Sequence, residues 1–309
     1  MSDDSLLQLA VALEDSGYSF TTVTPATHAR VNSRPTNAWA RSAEDVFGWS
    51  RPFREGILTP QLFEALRHAG LVDPHGEGWR SRVRASTLRG RLFLHSAYPT
   101  TESDSVFFGP DTYRFADAIA RHLAGELRVR RAVDVGCGAG PGAVVVALER
   151  PDAEVIAVDI NDQALRYTAA NARLAGAARI MARHSDLLDA IDGDFDLIVA
   201  NPPYLLDALE RSYRHGGGML GEGLSLAIAS QASARLAPGG TLLLYTGTAI
   251  IDGIDHYRAT VEPILDAATF EWQYQELDPD VFGEELTEPA YATAYRIAAV
   301  LVTARKAAA

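Results

Sequence analysis

The chain has 309 residues, 47% hydrophobic and 22% charged, with a formal net charge of -12. At roughly 100–200 residues per domain this points to two domains, and the balance excludes wholesale disorder, a collagen-like repeat and a coiled coil. Forty acidic residues against 28 basic ones exclude a purely electrostatic polyanion binder, and the single cysteine, Cys137, excludes a disulfide framework or a Cys-rich zinc site. The opening MSDDSLLQLAVALEDSGYSF has no basic n-region and carries acids inside its apolar stretch, so a signal peptide is not expected. No apolar run approaches the roughly 18 residues of a membrane span. A cytoplasmic protein is the expectation.

Residues 5–16 place Leu6, Leu9, Ala10 and Leu13 at helical spacing. A polar, Pro-containing connector covers 21–37, and a helical patch 42–49. Thr59-Pro60 then supplies the N-cap and first-turn proline of a helix that ends at Gly70. After the polar turn DPHGEG, WRSRVRAS alternates Arg80, Arg82 and Arg84 with Ser81, Val83 and Ala85, which predicts one strand with three arginines on one face. Leu88–Arg91 turns into a second strand, RLFLHSA. Helices followed by a two-stranded wing predict a smaller α+β, winged-helix-like domain over 1–105, assigned to substrate recognition.

Residues 1–105 carry a net charge of -1 and 106–309 a net of -11, with Lys306 the only lysine. Arg80, Arg82, Arg84, Arg89 and Arg91 fall in an acid-free run of 12 residues. Such a cluster could touch RNA or DNA phosphates, but it is a thin footprint beside the acidity, and a solvated or internally paired face is preferred.

From residue 131 strands and helices alternate. RAVDVG, VIAVDI, RIMARHSD, FDLIVANP and TLLLYTG read as strands. PGAVVVALER, NDQALRYTAANARLAG and segments near 222–236 and 253–268 read as helices. Strand runs apolar on both faces between helices predict an α/β domain with a parallel sheet covered on both sides, over 106–309. FEWQYQEL and YATAYRIAAVLVTA follow with only a loop between them, an antiparallel finish.

Asp134-Val-Gly136-Cys137-Gly138-Ala-Gly140 lies where the first strand of this domain opens into a helix. Glycines there admit close backbone approach, and the helix start offers free N–H groups. Asp159 ends the next strand, where an acid can accept both hydroxyl hydrogens of a ribose. Together these predict a nucleoside-containing cofactor. Gly138–Ala143 also fits a loose dinucleotide pattern, so an NAD-dependent oxidoreductase stays open. Asn201-Pro202-Pro203-Tyr204 ends the strand FDLIVA, and two prolines force a rigid elbow at the carboxyl edge. The elbow presents a carboxamide oxygen and a free carbonyl, two acceptors suited to a planar –NH₂, beside an aromatic ring. The eight histidines show no metal-ligand spacing, and no metal is expected.

DVGCGAG, VIAVDI, HSDLL and NPPY, in this order, resemble the class I S-adenosylmethionine-dependent methyltransferases. Within that group they are most similar to the HemK-type release-factor glutamine methyltransferases, over about residues 106–305. The resemblance implies a Rossmann-like fold with a seven-stranded sheet whose last strand is antiparallel. It implies that Gly136, Cys137, Gly138 and Gly140 line the methionine end of the cofactor with Asp134 near its amino group. Asp159 would hold the ribose and Asp186 and Leu187 would flank the adenine; Ile160, Asn201 and, in the segment preceding the first strand, Pro110 and Thr112 would also bind the cofactor. Asn201 and Pro202 would grip the target nitrogen, and Pro203 and Tyr204 complete the catalytic loop. In-line methyl transfer to a protein glutamine, with a translation factor as the candidate substrate, is the first expectation, and an adenine-N6 or guanine-N2 of RNA or DNA is the alternative. Two features differ from that family. Tyr245 stands where it usually has an acid, and residues 75–95 read as strands where its front domain is all helical.

Overall fold

The apolar spacing at the start of the chain produces α1 (Asp3–Asp15), with Leu6, Leu9 and Leu13 fully buried. The structure is a computed structural model that describes residues 3–125, 128–207 and 209–308; Met1 and Ser2 of the opening segment and Ala309 of the Ala-rich tail lie outside them. The stretch read as a connector contains a helix, α2 (Pro25–Asn32), with Thr24 capping Thr27 N–H and Pro25 in the first turn. α3 (Ala43–Phe47) follows. In α4 (Pro60–His68) the Thr59 side chain accepts from Leu62 N–H at 3.3 Å, and Gly70 takes φ 63° after its end.

The predicted Arg-bearing strand is two strands. β1 (Val72–His75) pairs antiparallel with β2 (Gly78–Ser81), and β3 (Val83–Leu88) with β4 (Arg91–Ser96). Ser81 breaks the run: its hydroxyl donates to the Val83 carbonyl and accepts from Val83 N–H, while Arg82 N–H turns away to the Leu71 carbonyl. The three arginines therefore do not share a face. Arg80 Nε donates to the Ser50 carbonyl at 3.4 Å, Arg82 is exposed near Asp73 and Arg84 is buried, while Arg89 of the wider cluster pairs with Asp117 and Glu149. The smaller α+β module of helices followed by antiparallel strands is present, without the one-sided arginine stripe.

The larger part runs α5 (Pro110–Leu123), β5 (Arg131–Val135), α6 (Pro141–Glu149), β6 (Glu154–Asp159), α7 (Asp162–Leu174), β7 (Met181–His184), β8 (Phe195–Ala200), α8 (Gly223–Arg235), β9 (Leu236–Ile251), β10 (Ile254–Asp255), α9 (His256–Ala267), β11 (Glu271–Asp278) and β12 (Arg296–Arg305). The sheet order is β7-β6-β5-β8-β9-β12-β11, with the short β10 added to β9. Neighbours from β7 to β9 are parallel, and β12 is antiparallel to both β9 and β11. This is the α/β class I methyltransferase sheet with its antiparallel last strand. The order in which strands are added switches from one side of β5 to the other between β7 and β8, and open α/β sheets bind ligands at the carboxyl ends beside such a switch.

Apolar clusters cover both faces of the sheet, and one of them continues from the sheet through α7 to the leucines of α1. The front module is also stitched on by polar bonds. Asn171 of α7 accepts from Leu94 N–H at 2.8 Å and donates to the Leu94 carbonyl at 2.9 Å, and Thr22 N–H donates to Tyr113 Oη at 3.0 Å. No helix among the described residues is long and apolar enough to cross a membrane.

Candidate active site

The turn leaving β5 bends back at Gly136, Gly138 and Gly140, with φ of 68°, 55° and 82°, a region that glycine alone enters freely. No heavy atom lies within 4 Å of where a Gly136 Cβ would stand, so the backbone there borders open cleft. Asp134 is buried, and its Oδ2 accepts from Ala143 N–H at 2.8 Å, tying the β5 carboxylate to the first turn of α6. Burial pushes its pKa up to about 7, with the nearby Asp159 adding to the rise. Across the turn, Asp159 accepts from Gly138 N–H and Asn161 N–H, both at 2.9 Å. These bonds fix the carboxylate while leaving each oxygen a further acceptor site. The neighbouring Ile160 holds an apolar side chain out to solvent at 53% exposure on the cleft wall, a surface suited to a flat ring.

The second wall is the elbow after β8. Among the described residues, neither the Asn201 carboxamide nor the Pro202 carbonyl meets a hydrogen-bond partner, and both border the cleft. The Tyr204 ring rests on the backbone of β9: a Cβ at Gly247 would stand 2.3 Å from two of its carbons. The Tyr204 Oη is buried beside Asp111 without a well-formed bond. Asp111 instead accepts from Tyr245 Oη at 2.5 Å and from Arg114 at 3.3 Å, and burial raises its pKa. Tyr245, where the HemK-type sequences usually have an acid, thus supports a buried carboxylate supplied by α5. Gly247→Ala is expected to push the Tyr204 ring off its seat. Overpacking of this kind costs about 1–3 kcal/mol, and turnover should fall about tenfold or more while calorimetric cofactor binding stays within about twofold; retained turnover would mean the ring position is immaterial.

Thr112, Asp134, Gly136, Cys137, Gly138, Asp159, Ile160, Asp186, Leu187, Asn201, Pro202, Pro203 and Tyr204 all line this single cleft. Pro110 and Gly140 do not. Pro110 is the first residue of α5, and Gly140 caps α6 with Thr168 packed where its Cβ would be. Cys137 is buried, and burial raises its thiol well above the usual range, which leaves it no thiolate character.

Sequence reasoning missed the mouth. The segment after Tyr204 folds back, Leu205 N–H donating to the Arg214 carbonyl and Gly216 N–H to the Leu205 carbonyl. This brings Tyr213 against Phe107, 6.4 Å apart and nearly parallel, with Phe282 tilted against Phe107 at 6.3 Å. The three rings come from distant segments, and no periodicity links them.

Four carboxylates line the cleft, Asp111, Asp134, Asp159 and Asp186. The guanidinium there, Arg214, is already paired with Asp207 and Glu285. This field suits a ligand carrying an ammonium and a sulfonium, and it opposes the pyrophosphate of a dinucleotide. Residues 105–250 match the family model of the methyltransferase small domain. The fold and cleft define an S-adenosylmethionine-dependent methyltransferase.

Two relatives from Bordetella pertussis refine that class. A release factor glutamine methyltransferase is 34% identical over 197 residues, 57% of this chain and 72% of the relative. A ribosomal protein uL3 glutamine methyltransferase is 33% identical over 234 residues, 70% of this chain and 76% of the relative. The chain belongs to the HemK-like family of S-adenosylmethionine-dependent methyltransferases. Among solved structures, a tRNA methyltransferase of M. jannaschii superposes with a TM-score of 0.51 at 15% identity, covering 76% of this chain and 60% of that one, a likeness of fold alone.

Proposed function

We propose that the enzyme methylates the side-chain amide nitrogen of a glutamine in a protein acceptor of the cytoplasmic translation apparatus. The observation that carries this reading is the pair of unpartnered acceptors, the Asn201 carboxamide and the Pro202 carbonyl, at the rim of a cofactor cleft. A primary amide offers two coplanar N–H donors, and this pair can take both. Bound S-adenosylmethionine supplies an electrophilic methyl group, so the protein need only orient the nitrogen; Asp134, Gly136 and Gly138 hold the amino-acid end, Asp159 the ribose, and Ile160, Asp186 and Leu187 the adenine. Rate then comes mainly from positioning, and the departing proton can pass to solvent. The relatives named above act on glutamine of release factors and of a ribosomal protein, and the same acceptor chemistry fits this site. The nucleobase alternative loses support because the arginine cluster is dispersed, with Arg84 buried and Arg89 paired.

The test uses a cell extract incubated with enzyme and S-adenosylmethionine labelled in the methyl group. Label should survive nuclease, disappear with protease, and distil as methylamine after acid hydrolysis, as an N-methylamide requires. Label that is lost to nuclease, or that stays on a basic amino acid after hydrolysis, would overturn the reading.

A further inference from the structure

A second cavity lies beside the first, walled by His28, Arg84, His95 and Tyr98 of the front module and by Arg211 and Arg214 of the folded-back segment. The two share Phe107, Tyr213, Arg214 and Phe282, so they meet at the aromatic mouth. Their electrostatics are opposite. Four carboxylates line the first, and none among the described residues lines the second.

Arg84 sets the character of this cavity. It is 5% exposed, and its Nε and Nη2 donate to the Gly48 carbonyl at 2.9 Å and Thr22 Oγ1 at 3.3 Å, both neutral acceptors. No carboxylate pairs with it among the described residues, and the acidic groups that face it are the phenols of Tyr18, Tyr98 and Tyr113. A buried guanidinium without a counter-ion is costly enough to call for an explanation. Arg211 and Arg214 are already matched by Asp207 and Glu285, so the uncompensated charge is one.

His28 adds a second buried donor to the cavity wall. Asn32 is fixed by Arg51 Nε on its oxygen and by the Trp49 carbonyl on its nitrogen, so that nitrogen also faces His28 Nδ1, at 3.3 Å. Nδ1 is therefore the acceptor, and the proton sits on Nε2, which is buried without a well-formed bond, the Gly48 backbone being the polar group that faces the ring. Burial and the neighbouring guanidiniums push this imidazole down to about 3, so it is neutral.

We infer that this cavity is a carboxylate-binding subsite that receives an acidic side chain of the methyl acceptor, held by Arg84 and His28 while the amide nitrogen reaches Asn201. One unmatched positive charge suits a monoanion, and the shared aromatic mouth lets one acceptor occupy both cavities. The source of the carboxylate rests on the acceptor reading above; the existence of the subsite does not.

The probe is sodium acetate against sodium chloride at equal ionic strength, read by the emission of Trp49, whose ring lies 5.4 Å from that of His28, with Trp49→Phe as the blank. Saturation with Kd of about 1–10 mM is expected for so small a ligand. Arg84→Gln should weaken binding at least tenfold, while Arg84→Lys retains saturation. Thr101→Glu, at an exposed position on the cavity rim, should abolish binding by supplying the carboxylate itself, with S-adenosylhomocysteine affinity unchanged; it serves also if Arg84→Gln fails to fold. No saturation in the wild type, or saturation undiminished in these variants, overturns the subsite. Acetate binding without labelling of any extract protein would uphold the subsite and overturn the acceptor reading instead.

Discussion

Asn201→Ala is expected to lower methyl transfer by about 10²–10³-fold, the scale seen when one positioned polar group is removed from an active site. Its carboxamide borders the cleft with no hydrogen-bond partner among the described residues, so the substitution should leave the melting temperature nearly unchanged. Cofactor affinity, measured by calorimetry with S-adenosylhomocysteine, should stay within about threefold, because the glycine turn and Asp159 lie on the opposite wall. The loss should fall mainly on kcat: without the carboxamide oxygen the nitrogen can still enter the cleft but is no longer aimed. Asn201→Asp keeps an acceptor oxygen and tests whether geometry alone suffices. Turnover by Asn201→Ala within fivefold of wild type would remove the elbow from the mechanism.

Asp134→Asn is expected to separate stability from binding. The native carboxyl holds its proton more tightly than the unfolded one, since burial raises the pKa from 3.8 to about 7. Its contribution to stability is therefore complete below about pH 4 and is lost as pH rises through 7, where the fold carries a buried carboxylate at a cost on the order of 4 kcal/mol. Asparagine keeps an oxygen for Ala143 N–H and removes the charge. At pH 8 the variant should melt at a higher temperature than wild type, and the gap should close toward pH 4. Cofactor binding should move the other way. A charge-assisted bond from the cofactor ammonium is worth about 1.5–3 kcal/mol, so affinity at pH 8 should drop roughly 10- to 100-fold. Wild-type affinity should also weaken as pH falls below 7, while that of the variant stays level. A variant that melts lower at pH 8, or binds cofactor as wild type does, would contradict this account of Asp134.

Much of the cleft lining was legible because its determinants are local in sequence. The glycines after β5, the acid ending β6 and the double proline after β8 each sit at a strand's carboxyl end, and the parallel sheet gathers those ends without further information. The antiparallel finish was legible for a related reason, since β11 and β12 have no crossover helix between them. The acceptor side was not. Alternation predicts a shared face only while a strand is unbroken, and the Ser81 hydroxyl breaks it one residue before Arg82. α2 lay within reach, because Thr24-Pro25 repeats the Thr59-Pro60 signal in a stretch of low apolar periodicity. Phe107, Tyr213 and Phe282 converge only through the folded-back segment, and Tyr245 gains its meaning from Asp111, 134 residues away.

The two bonds between Asn171 and Leu94 have a consequence for selectivity. A side-chain amide there satisfies a main-chain N–H and C=O together, as a neighbouring strand would, and it joins α7 to the hairpin that carries Arg84. The jaw bearing the guanidinium and the jaw bearing the elbow are thereby set at one fixed opening, like a calliper locked before use. On the subsite reading proposed above, an acceptor is then judged by the span between its acidic group and its amide. A chain too short or too long for that span pays in strain, and discrimination needs no moving part.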